Sequence, residues 1–353
     1  MDDSKLTRVE ISVRELVEFI LRSGDIDNRT AQSDANAMQE GSRLHRKLQK
    51  TAGAESNYRS EVSLKLETPA EYDGERFIIA VEGRADGIFT NDELTVIDEI
   101  KTTLKNVNSM DGPVPVHRAQ AMCYAYIYAY RNVMPKIAVR MTYCNRESEE
   151  IVYFNEEFEF TGLREWYDRL INEYAKWAAW ELKWREQRNA SISTARFPFE
   201  YREGQKSLVA SVYRSIGSGK KLFIEAPTGV GKTMSTVFPA VWSMCEDKTE
   251  KIFYGTAKTI ARTVAEEAFG ILRGNGVKLR SVTITSKEKL CILEKPECNP
   301  EACERAKGHF DRVNDAIYDL LINEEYVDRD LIVKYAEKHM VCPFEMCLDV
   351  SVR

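Results

Sequence analysis

The chain lacks long apolar runs, internal repeats and low-complexity tracts. In 353 residues no apolar stretch reaches the roughly 18 needed to cross a bilayer. The first residues, MDDSKLTRVEISVREL, are charged and carry no apolar signal-peptide core. Both absences point to a cytoplasmic protein with no membrane partner. An excess of positive charge is missing too. Fifty Lys and Arg stand against 56 Asp and Glu, a net charge of −6, so any polyanion must be met by a local patch. No CxxC pair occurs among the eight cysteines, which disfavours a zinc ribbon. The length suggests two or three domains.

Residues 8–50 read as helices, from the apolar spacing of LVEFIL and AMQEGSRLHRKLQK. An alternating stretch follows, YRSEVSLKLETPAEYDGERFIIAVEGRADGIF, with YDGE as the turn between two strands. LTVIDEIKTT is a third strand, AQAMCYAYIYAYRN a helix, and IAVRMTYCN and EIVYFNEEF two more strands. A long helix is expected over about 161–188. RNASISTARFPF shows no periodicity and ends near a proline, so a linker is placed at 186–198. From Tyr201, strands (KKLFIEA, KIFYGTA, SVTITS) alternate with helices (QKSLVASVYRSI, ARTVAEEAFGILRG), which predicts a parallel sheet. From Cys291 the chain is cysteine-bearing and mostly helical.

The strand LFIEA runs into APTGVGKT, residues Ala226, Pro227, Thr228, Gly229, Val230, Gly231, Lys232 and Thr233. Strand, glycine turn and helix are the setting of a phosphate-binding loop. Backbone N–H groups of Thr228 to Thr233 form an anion nest at a helix N-terminus, Lys232 reaches the β- and γ-phosphates, and Thr233 meets Mg²⁺. Ala226 replaces the usual first glycine. The string resembles that of superfamily two helicases. Arg202 and Gln205 in FEYREGQKSLVASV stand where that family reads adenine, which a Gln amide can do by donating and accepting. Thr256 and Lys258 in YGTAKT stand where it contacts the DNA backbone.

Five of the eight cysteines fall in the last 63 residues. Cys291, Cys298 and Cys303 are separated by six and four residues, and Cys342 follows after 38 more. Four thiolates can close a zinc site or a [4Fe–4S] cluster. Their position after the third strand resembles the XPD/DinG family of DNA helicases, in which an iron–sulfur domain interrupts the first motor domain. That resemblance implies a [4Fe–4S] cluster on these four, with Cys347 spare. Cys123, Cys144 and Cys245 sit in apolar contexts and are expected to be buried.

Asp86 in GRADGIF and Glu99-x-Lys101 in TVIDEIKTT place two carboxylates and a lysine on neighbouring strands. Glu99 and Lys101, two apart, share one face, while Asp98 points to the other. With His45 in GSRLHRKL and Gln120 and Tyr124 in HRAQAMCYAY, this resembles the PD-(D/E)XK nucleases of the RecB type. The resemblance implies Mg²⁺ or Mn²⁺ held by His45, Asp86 and Glu99, Lys101 acting on the attacking water, and Gln120 and Tyr124 as the QxxxY motif. Glu61 is an auxiliary candidate, and Arg84 and Arg118 are candidate phosphate contacts whose default reading is solvated surface.

The expected fold is α/β: a PD-(D/E)XK nuclease-like α/β/α domain (1–185), the linker (186–198), a partial RecA-like P-loop domain (199–288) and a mostly helical iron–sulfur insertion (289–353). The combined resemblance implies the front part of an ATP-dependent DNA helicase and nuclease for repair or recombination. It would use ATP, Mg²⁺ or Mn²⁺ and a [4Fe–4S] cluster, and act on single-stranded or forked DNA. A non-catalytic single-strand-binding module and an iron–sulfur redox-switched DNA-binding protein are the alternatives. No DExH string occurs, and the chain reads on only to LDVSVR, so a downstream motor half is expected elsewhere. Without it, nucleotide hydrolysis by this chain should be poor.

Overall fold

The structure, a computed structural model, describes residues 6–29, 37–54, 57–91, 94–227, 229–256 and 259–353. Its contacts divide the chain into two units, residues 1–179 with 297–314, and residues 180–296 with 315–353.

The first unit opens on strand β1 (Thr7–Ser12), not on the helix expected from residue 8. Five residues of RVEIS fit alternation as well as helical spacing, and Ser12 decides the boundary. Its hydroxyl accepts from the Glu15 N–H at 3.1 Å while the Glu15 carboxylate accepts from the Ser12 N–H at 3.2 Å. This capping box starts helix α1 (Val13–Ile20). The helix buries Val13, Leu16, Val17 and Phe19, each contributing about 1.5–3 kcal/mol relative to exposure. Helix α2 (Ala37–Ala52) follows.

Strands β2 (Arg59–Tyr72) and β3 (Glu75–Asn91) form the expected hairpin. Asp73 and Gly74 make its turn with φ of 51° and 79°. A two-residue turn with both φ positive twists in the sense the strands need, and Asp-Gly tolerates it. Strand β4 (Leu94–Thr103) pairs antiparallel with β3, and β1 pairs parallel with β3. Helix α3 (Pro115–Asn132) starts with proline in its first turn and carries the chain across to β5 (Lys136–Asn145), which lies parallel to β4. β6 (Ile151–Glu159) closes the order β1-β3-β4-β5-β6, with β2 also paired to β3. Val96 to Ile100 are all buried, so β4 lies inside the sheet.

Helix α4 (Phe160–Ser193) is longer than expected, and the segment placed as a linker is helical through Ser193. The physical reason is Ile192, fully buried in the second unit's core with Met234, Val237, Phe238 and Leu272. Two of the three unit boundaries fall inside helices, one in α4 and one in α9 (His309–Asn323).

The second unit holds α5 (Gln205–Gly217), α6 (Lys232–Met244), α7 (Thr259–Gly274), β7 (Ser281–Val282), α8 (Lys287–Leu290), the rest of α9, β8 (Tyr326–Val327), α10 (Arg329–Lys338) and α11 (Pro343–Ser351). The expected parallel sheet is limited, among the described residues, to β7 beside β8. KKLFIEA and the described part of KIFYGTA, residues 251–256, form no ladder there, and Phe223 and Phe253 are 92% and 75% exposed. A parallel strand draws its hydrogen bonds from a neighbour, and no described strand lies beside either segment.

Candidate active site

Strand β4 presents Glu99 and Lys101 on one face, two residues apart. The Lys101 Nζ lies 2.9 Å from Glu99 Oε1 and donates to Gln120 Oε1 at 2.9 Å. Glu99 is 2% exposed, and its second oxygen, Oε2, is buried with no hydrogen-bond partner. Burial pushes the Glu99 carboxyl up to about 8; the Asp86 charge adds to this and Lys101 opposes it. Asp86, on β3, accepts from the Ile100 N–H at 2.7 Å, which ties its carboxylate to β4. Burial raises its pKa as well, against the charge of His45. His45, on α2, holds its Nδ1 3.6 Å from Asp86 Oδ1, too far for a hydrogen bond.

Helix α3 supplies the other side. Gln120 and Tyr124, four apart, face the sheet and are both buried. Tyr124 lies against Gly83 of β3: a Cβ there would come within 2.8 Å of its hydroxyl, so the glycine is what lets the ring in. Burial pushes the Tyr124 hydroxyl up to about 12, with Glu99 adding to it.

Asp98 does point away, as its place beside Glu99 predicts. It accepts from Arg140 Nε and Nη2 at 3.0 and 2.8 Å, Thr142 Oγ1 at 2.6 Å and Tyr58 Oη at 2.9 Å. This is a fully satisfied structural carboxylate. Arg84 pairs with Glu61 at 2.5 Å, and Arg118 hydrogen-bonds Glu156 through Nε at 2.6 Å, so both have carboxylate partners.

Sequence reasoning passed over two neighbours of the site. His117 sits three residues before Gln120 on the same helix, with Nδ1 3.0 Å from Tyr143 Oη. Burial pushes it down to about 4, with the Lys101 and Arg14 charges adding to the effect. The spacing His-x₂-Gln-x₃-Tyr was its available signal. Gln49, four residues after His45, is the second.

Two carboxylates on adjacent strands, one with an orphaned buried oxygen, suit a divalent cation, which accepts oxygen ligands and offsets the cost of burying both charges. Among the described residues, no three His, Cys, Asp or Glu side chains are already closed around a common point.

In the second unit, α6 begins at Lys232 as expected, after Gly229 and Gly231 at φ of 84° and 75°. Lys232 Nζ donates to the Ala226 and Pro227 carbonyls at 2.6 and 3.0 Å. The Arg202 and Gln205 pair reaches the same loop. Arg202 donates to the Gly229 carbonyl, and a Cβ on Gly231 would come within 2.6 Å of Gln205 Nε2. Gln205 is buried and accepts from the Arg202 N–H at 3.0 Å. Thr228 and Lys258 lie outside the described residues. Thr256 lines a cavity of about 590 Å³ within this unit. Of the four candidate cluster cysteines, Cys298 and Cys303 belong to the first unit, Cys291 and Cys342 to the second. Cys347 is buried, as are Cys123 and Cys144, while Cys245 is half-buried.

A solved structure titled SSO0001 aligns over 46% of this chain and 75% of its own at 18% identity, with a TM-score of 0.29. A protein of Methanocaldococcus jannaschii named a probable ATP-dependent helicase is 42% identical over 48 residues. That match spans 13% of this chain and 7% of the relative. The model of the PD-(D/E)XK nuclease superfamily matches residues 5–198, more than half of the sequence and the whole of the constellation from His45 to Tyr124. The chain therefore belongs to the PD-(D/E)XK nuclease superfamily.

Proposed function

We propose that this chain cleaves DNA by metal-assisted phosphodiester hydrolysis, using Asp86 and Glu99 with His45 to hold Mg²⁺ or Mn²⁺ and Lys101 to act on the attacking water. The observation that carries this reading is Glu99, a 2% exposed carboxylate with one oxygen on Lys101 and the other without a partner. When bound, the cation would make a water acidic enough to attack and would neutralise charge gathering on the phosphate. An ammonium group has three protons. Two of those on Lys101 go to Glu99 and Gln120, leaving the third to hold a water or a phosphate oxygen. Gln120 fixes the ammonium from α3, and Tyr124 packs the helix onto Gly83.

The second part of the proposal is that the chain is the front of an ATP-dependent helicase acting on single-stranded or forked DNA in repair or recombination, with its downstream motor half elsewhere. The loop from Ala226 to Thr233 would take ATP and Mg²⁺, with Arg202 and Gln205 at the base. Cys291, Cys298, Cys303 and Cys342 would hold a [4Fe–4S] cluster. Support comes from the packing of Arg202 and Gln205 on the loop and from the short likeness to a protein named as a helicase. No described helix is long and apolar enough to cross a membrane, in keeping with a proposed cytoplasmic location.

The test is cleavage of end-labelled single-stranded DNA with Mg²⁺, Mn²⁺ or EDTA, with the wild type, Glu99→Ala and Lys101→Ala. Metal-dependent cutting lost in both variants supports the reading. DNA that is bound yet left intact with every metal would establish a non-catalytic binding module instead.

A further inference from the structure

Helix α2 meets the sheet through an unusual pair of residues. Among its described side chains only Leu44 and Gln49 are buried, at 1% and 9% exposure. Packing alone calls for an apolar residue at both positions, because a buried amide is costly unless its hydrogens are used. Gln49 uses both. Its Nε2 donates to the backbone carbonyl of Asp86 at 3.0 Å and to Glu61 Oε1 at 2.7 Å. Gln49 lies one helical turn after His45, so both face β3. A slide or roll of α2 that breaks the Gln49 bonds also changes the approach of His45 to Asp86.

Glu61 adds an independent observation. It sits inside β2 with φ of 57°, a left-handed conformation that non-glycine residues seldom adopt. Its ladder neighbours Ser60 and Val62 pair normally with Gly87 and Ala85. Such a conformation persists when its surroundings over-determine it. Here one carboxylate oxygen takes Gln49 and the other takes Arg84 at 2.5 Å.

Building on the metal site proposed above, we infer that Gln49 is a positioning residue that sets divalent-cation affinity by fixing His45 opposite Asp86. It touches neither cation nor DNA. It acts through the strut Glu61–Gln49–Asp86 carbonyl, which holds α2 in register with β3.

The test is Mn²⁺ affinity of the full chain, read from the electron paramagnetic resonance signal of free Mn²⁺, in a double-mutant cycle of His45→Ala and Gln49→Met. Methionine keeps the length and burial of Gln49 and removes both donors. Loss of a supporting hydrogen bond to a metal site typically costs 10–100-fold in affinity. The expected result is a loss of roughly tenfold or more for Q49M in the wild-type background and no further loss when H45A is already present. Equal losses in both backgrounds, or wild-type affinity in Q49M, would overturn the inference. If Q49M does not fold, Glu61→Ala replaces it in the same cycle and is read the same way. A wild type that binds no Mn²⁺, or a Glu99→Gln variant that binds it undiminished, would remove the metal site itself. A bound wild type with an additive cycle would remove only the role of Gln49.

Discussion

The 2.9 Å ion pair between Glu99 and Lys101 satisfies only one oxygen of a carboxylate that is almost wholly buried. Lys101 therefore serves the resting protein as well as the proposed reaction. Lys101→Met should lower metal-dependent cleavage by roughly 10²–10⁴-fold, the usual range for a lost proton-transfer group. It should also lower the melting temperature in EDTA more at pH 8 than at pH 6, because the wild-type Glu99 ionises towards pH 8 and gains there from the Lys101 charge that the variant lacks. Initial rates on single-stranded DNA and melting curves check both.

Stability should depend on pH through Glu99. Its folded value of about 8 lies above the ordinary 4.5, so the folded state holds the proton more tightly than the unfolded chain. The contribution is complete below about 4.5 and is lost as pH rises towards 8. In EDTA the wild type should lose melting temperature relative to Glu99→Gln across this window, by roughly 2–4 °C for each kcal/mol. Mn²⁺ should restore more at pH 8 than at pH 6. A constant difference between the two proteins from pH 5 to 8 would contradict this.

Asp98 gives the complementary expectation. Asp98→Ala leaves Arg140, Thr142 and Tyr58 without their common acceptor. Breaking a buried pair of this kind costs about 3 kcal/mol or more, which a urea titration would read. Cleavage per folded molecule should stay at the wild-type level. A folded Asp98→Ala protein without cleavage would place the metal on the other face of β4.

The two proposed chemistries should separate. Lys232 holds the Ala226 and Pro227 carbonyls, contacts that a phosphate would replace. Lys232→Ala should weaken binding of a fluorescent ATP analogue at least about tenfold, the effect of losing a charged contact worth about 1.4 kcal/mol. Cleavage measured without ATP should not change.

Much of the first unit was legible because its signals are local. Asp73-Gly74 dictates a hairpin turn, and a two-residue step from Glu99 to Lys101 dictates a shared face. The site's outer support was harder to see. Gln49 occupies a polar code letter at a buried position, and nothing in its neighbours says that Asp86 and Glu61 will satisfy it. β1 was hidden because five residues fit two periodicities until the Ser12 and Glu15 capping box broke the tie. The helical continuation of α4 rests on Ile192 finding a core built from residues some 40 or more positions away, which no window of sequence contains. In the second unit, the apolar segments around Phe223 and Phe253 carry strand composition, but a ladder also needs a neighbour.

The most direct test of the metal site is an anomalous difference map from crystals of this chain soaked in Mn²⁺. A peak is expected in contact with the carboxylates of Asp86 and Glu99 and the imidazole of His45. Saturating Mn²⁺ with no peak at these three side chains, or a peak only elsewhere, would contradict it.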